Sequence, residues 1–154
     1  MNYIPKLIIR ISLALIIAFL GIKIFYPIIS PLTFYFSYNS LFFLKPTLIN
    51  NLTFSINWQL FKFIPACAAA SAYLLLVILI LLTKDINFKT GAKLFIIGSL
   101  IILIVNIIRI DFLILVLLNY GKDLFNTLHL FIWKVVSSVF VVAVWIGLTF
   151  LFNI

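Results

Sequence analysis

A chain of 154 residues that is 66% hydrophobic and only 9% charged carries more apolar surface than a soluble domain can bury, since ordinary domains are about 25% charged. Its formal net charge of +8 invites a nucleic-acid reading, but the eleven Lys and Arg residues stand singly near the ends of apolar runs. Such a distribution excludes a nucleic-acid patch and matches membrane lipids with anionic headgroups.

The expected fold class is an all-α integral membrane protein, one transmembrane domain over residues 1–154. It is read as a bundle of about four helices with a small extracytoplasmic, aromatic-rich segment. The first apolar run, residues 7–25, follows Lys6 and is too long for a signal peptide. No small-residue cleavage site follows it, only Tyr26-Pro27 and Ser30-Pro31, so it is read as a retained helix. The second run, residues 64–83, ends at Lys84, Asp85, Asn87 and Lys89. The third, residues 91–118, closes at Asn119-Tyr120-Gly121-Lys122-Asp123, and the fourth fills residues 125–152. The last two exceed the ~20 residues a bilayer requires, so they tilt, bend or project beyond the hydrocarbon.

Basic residues in short loops orient such a bundle. Lys6, Arg10, Lys84, Lys89 and Lys93 fall on one side, and Lys45, Lys62 and Lys122 on the other. This predicts a multi-pass protein of the cell membrane with both termini cytoplasmic and residues 27–63 outside. Within that outer segment residues 53–60 alternate, with Phe54, Ile56, Trp58 and Leu60 apolar and Thr53, Ser55, Asn57 and Gln59 polar. This is the period of a half-buried strand. With the turn signal Asn50-Asn51 it predicts a short β-hairpin on the membrane surface.

Ionisable residues inside apolar runs cost roughly 2.5 to 3.5 kcal/mol on insertion scales and need a reason. Lys23, near the predicted outer end of the first helix, reads as a snorkelling anchor. Asp111 and Lys134 lie about equally far from the turn at Lys122, which predicts an ion pair between the third and fourth helices. Arg109 is two residues from Asp111 and so faces elsewhere, while Asn106, three residues from Arg109, shares the Arg109 face. Cys67 and His129 both fall just inside the outer ends of their helices, with Arg109 ~9 Å deeper than His129 by helix rise.

Taken singly, Cys67 reads as a small packing residue and His129 as an interfacial or hydrogen-bonded one. An intramembrane Arg is a functional candidate by default. Together they could carry acyl transfer: Cys67 as thiolate nucleophile, His129 as general base and then acid, Arg109 stabilising the oxyanion or thiolate. No metal site and no cofactor is expected, because there is one Cys, one His and no paired carboxylates. The five glycines are isolated, without a nucleotide-binding pattern.

Pro65-Ala66-Cys67 followed by Ala68, Ala69, Ala70 and Ser71, then Asn106-Ile107-Ile108-Arg109-Ile110, then His129 after a Gly-containing turn, resemble in order and context the exosortase and archaeosortase family. These are membrane cysteine proteases and transpeptidases. The resemblance covers about residues 53–145, and with one span upstream of that core the chain looks like a short form. It implies a Cys67-Arg109-His129 enzyme, with Asn106 supporting, whose active site faces the extracytoplasmic side. Its partners would be secreted proteins ending in a sorting signal of short motif, helix and basic tail. The signal would be cleaved through a Cys-thioester, with transfer to an anchor. Ala68-Ala69 stands where the family often has Ser or Thr and then Gly. The alternative is a non-catalytic transmembrane scaffold or accessory subunit for secretion, transport or glycan export.

Overall fold

The computed structural model describes residues 3–64, 67–84 and 86–153, without the side chains of residues 3–7 and 22. Pro65-Ala66 of the cysteine motif, Asp85 and the Lys6 side chain lie outside the described residues.

Helix α1 (Tyr3–Ser40) runs into a 3-10 turn at Phe42–Leu44. Three short strands follow, β1 (Thr47–Asn50), β2 (Thr53–Ile56) and β3 (Gln59–Lys62), then α2 (Ala70–Leu82) and α3 (Phe88–Tyr120). The last run comprises α4 (Lys122–Phe131), a π-helical turn at Ile132–Val136 and α5 (Ser137–Leu151). The molecule is therefore mostly helical. Among the described residues two helical stretches, Phe88–Tyr120 and Lys122–Leu151, are long and apolar enough to cross a membrane, and α1 counted as one bent span makes three.

Helix α1 differs from the sequence reading. It was expected to stop near residue 25, yet Pro27 and Pro31 lie inside it. Each proline removes one backbone hydrogen bond and crowds the carbonyl four residues earlier, which bends a helix without ending it where neighbours hold both halves. Pro27 crowds Lys23, and α1 bends by 55° between Gly21 and Lys23. Lys23 therefore sits exposed at a mid-helix bend, not at an outer end. Helix α2 is shorter than expected: its 13 residues span about 20 Å at 1.5 Å per residue, less than the hydrocarbon thickness.

The expected hairpin is a three-stranded antiparallel sheet in the order β1-β2-β3. The alternation over residues 53–60 is not one strand but two. Asn57 and Trp58 both adopt left-handed backbone, φ 49° and 66°, as a two-residue hairpin turn of the right twist requires. The turn reverses the chain, so Phe61 comes opposite Phe54 and their rings stack at 5.5 Å. Phe54 and Ile56 are fully buried against Phe34 of α1 and Ile110 and Ile114 of α3, while Trp58 projects freely. A second apolar cluster, with Ile29, Tyr73, Leu76, Ile102 and Val141, joins α1, α2, α3 and α5 deeper in the bundle. There α2 and α3 approach so closely that a Cβ on Gly98 would sit 2.8 Å from Leu76.

Candidate active site

Cys67 lies in the turn between the sheet and α2, outside the spanning helices. Its N–H donates to the Ile64 carbonyl at 2.9 Å. Asn106 of α3, 4% exposed, donates from Nδ2 to the Cys67 carbonyl at 2.8 Å, so the expected supporting residue holds the cysteine's backbone and not its thiol. The turn ends at Ala69, whose φ of 51° is left-handed, a conformation costing an L-residue roughly 1–2 kcal/mol.

One cavity of about 320 Å³ is lined by Cys67, Arg109 and His129 together, with Lys62 and Phe63 from the sheet side and Phe125 from α4. The three residues singled out in the sequence thus converge on one space between β3, α3 and α4. His129 reaches it because Gly121 turns the chain sharply between α3 and α4. Its φ of 84° with ψ −178° is open to glycine at little cost. The imidazole stacks on Phe125, centroids 5.5 Å apart.

Arg109 is held from the far side. Its Nη1 donates to Ser137 Oγ at 3.0 Å, and that hydroxyl donates to the Ile132 carbonyl at 3.0 Å. Ile132 to Ser137 is a five-residue step, the spacing of the π-turn. Eight residues on a regular α-helix would set His129 and Ser137 about 80° apart. A π-turn absorbs about one residue and brings them to within about 20° of one face. The wide turn therefore aligns the histidine and the arginine's anchor on the same side of the helix. Nothing in the apolar sequence Ile132-Trp133-Lys134-Val135-Val136 signals it, and neither Ser137 nor Lys62 was legible as a site residue.

The expected ion pair between Asp111 and Lys134 is not formed. The Asp111 carboxylate accepts hydrogen bonds from Ser37 Oγ at 2.8 Å and Ser40 Oγ at 2.5 Å, both on α1, and Lys134 is exposed on the π-turn. The equal distance from the turn at Lys122 was a poor guide because α1 continues to Ser40 and covers the Asp111 face first. Arg109 and Asp111 do face different neighbours, as their two-residue spacing predicts.

Burial pushes the Cys67 thiol up from its ordinary value; a backbone hydrogen bond at Ile64 and the Arg109 guanidinium oppose that rise. The thiol is not in a disulfide. A thiol, an imidazole and a guanidinium around one cavity supply a nucleophile, a proton carrier and an anion stabiliser. Among the described residues no group of three metal-ligating side chains occurs. Compared with known proteins, the chain matches no family model, no curated protein and no solved structure.

Proposed function

We propose that this chain is a membrane-embedded cysteine protease or transpeptidase, and the observation that carries the reading is the single cavity shared by Cys67, Arg109 and His129. In the proposed reaction the Cys67 thiol gives its proton to His129, and the sulfur attacks the carbonyl carbon of a peptide bond. Arg109 stabilises the tetrahedral oxyanion in a medium where a fixed charge acts strongly. His129 returns the proton to the leaving amine, the C–N bond breaks, and a thioester remains on Cys67. Water or a second amine, deprotonated by His129, then attacks the thioester and releases the thiol.

The substrate class proposed is a secreted protein with a C-terminal motif, apolar helix and basic tail, a reading that rests on the family resemblance. It is supported by the position of the cavity beside the amphipathic sheet, at the end of the bundle opposite Arg10, Lys84, Lys89 and Lys93. Under the positive-inside rule that sheet end is extracytoplasmic and both termini are cytoplasmic. In this arrangement α1, α2, α3 and the α4–α5 run form four spans, with Cys67 just beyond the outer end of α2.

Co-expression with such a tagged protein tests the reading. Processing should occur with the wild type and stop with Cys67→Ala. Equal processing in both, or none while the protein is stably inserted, would remove Cys67 from catalysis. The competing reading, a non-catalytic scaffold, is favoured by one observation: Arg109 and Asp111 each already have hydroxyl partners on neighbouring helices.

A further inference from the structure

A second cavity, about 470 Å³, lies at the other end of the bundle between α2 and the start of α3, with Arg10 of α1 at its edge. Its walls are apolar, with Val77, Ile80, Leu81 and Phe95 prominent, and its polar groups, Arg10, Thr83 and Asn87, gather where the chain leaves α2 and enters α3. The size falls in the range of small-molecule sites. Arg10 is half-buried, and Nη1 donates to the Thr83 carbonyl at 2.9 Å, capping the end of α2 with one of the five N–H groups a guanidinium offers.

The charged residues described around it are basic, and Asp85 of the same loop lies outside the described residues. Lys89 and Lys93 are exposed and one helical turn apart on α3, and Lys84 is exposed beside Thr83. Two of the chain's three acidic residues, Asp111 and Asp123, belong to the sheet end. Among the described residues no carboxylate lines the cavity. Phe88, 91% exposed, begins α3 beside it, an aromatic suited to the level of lipid headgroups.

We propose that this cavity binds one anionic phospholipid, its phosphate against the Arg10 guanidinium and an acyl chain among Val77, Ile80, Leu81 and Phe95. Charge complementarity selects the occupant: an apolar slot with a guanidinium at its mouth, and with Lys89 and Lys93 exposed on the adjoining turn of α3, suits a molecule with a phosphate at one end and a hydrocarbon chain at the other. A zwitterionic lipid of the same chains would fill the slot without matching its mouth, and inorganic phosphate would match the mouth without filling the slot. The inference does not depend on the catalytic reading of Cys67.

The test is native mass spectrometry of the full chain released from neutral detergent, with phosphatidylglycerol, phosphatidylcholine of the same acyl chains, and inorganic phosphate as probes. One phosphatidylglycerol per chain should be retained, with a preference over phosphatidylcholine of about tenfold or more, the scale of a charge-assisted hydrogen bond. Arg10→Gln should abolish the preference, and Ala92→Phe, which fills the slot and keeps the Arg10–Thr83 bond, should abolish retention. Ala92→Phe decides the matter even where Arg10→Gln fails to fold. Equal retention of the two lipids by the wild type would overturn the proposal. So would retention unchanged in Ala92→Phe, or displacement of phosphatidylglycerol by an equal concentration of inorganic phosphate.

Discussion

Replacing Asp111 by alanine removes the acceptor of two hydroxyls that tie α1 to α3. Ser37 is fully buried, so its orphaned hydroxyl carries a desolvation cost of about 1–3 kcal/mol. Ser40 is exposed and can turn to water, which limits its share to about 0.5 kcal/mol. Adding the lost packing of one half-buried side chain, the expected loss is about 2–4 kcal/mol, or roughly 4–16 °C in melting temperature for a chain of this length. Asp111→Asn keeps one acceptor oxygen and should cost less than half of that. The decisive comparison is a double-mutant cycle, read by thermal or denaturant unfolding in detergent micelles. Asp111→Ala with Ser37→Ala should show coupling of about 1–2 kcal/mol, whereas Asp111→Ala with Lys134→Leu should be additive within about 0.5 kcal/mol. Coupling above 1 kcal/mol between Asp111 and Lys134 would refute the reasoning and restore the interhelical ion pair.

Ser137→Ala should slow processing of a sorting-signal substrate about tenfold through a displaced Arg109, and Ser137→Thr, which keeps the hydroxyl, should recover most of the rate; equal rates in all three would remove Ser137 as a positioning residue. Alkylation of Cys67 by a maleimide should accelerate well into the alkaline range, because burial raises the thiol and only the thiolate reacts. Arg109→Gln should carry that profile to still higher pH, since the guanidinium favours the thiolate; an unchanged profile would mean that its charge is not felt at the sulfur. Phe54→Ala should cost about 3–5 kcal/mol by opening the interface between the sheet and α1, while Trp58→Ala at the exposed turn should stay within about 0.5 kcal/mol; a similar cost at both would contradict the packing.

The sequence made the apolar runs and the residues within them legible, because a charge in a long apolar segment stands out whatever the fold. Arg109 stands out in this way, Cys67 and His129 as the chain's single thiol and imidazole, and the three line one cavity. What stayed hidden depended on tertiary partners. Proline reads locally as a helix stop, but Pro27 and Pro31 are held in α1 by packing on both sides of the bend. Two short strands of opposite phase, joined by Asn57-Trp58, imitate one alternating strand, and only the register shows the reversal. Asp111 pairs with α1 and not with Lys134 because Ser37 and Ser40 are helical, which the two prolines before them conceal. Ser137 had no sequence signal, since a serine in an apolar helix has many ordinary uses.

The wide turn at Ile132–Val136 makes the number of residues in this stretch matter more than their identity, and it does so unevenly. Removing one residue from the turn would leave a regular helix in which His129 and the serine that anchors Arg109 still share a face, since the turn holds about one residue in excess. Adding one would rotate the two by about 100° relative to each other and separate them. Length variation in this segment is therefore tolerated in one direction only, and a shortened chain would keep the same constellation without the bulge.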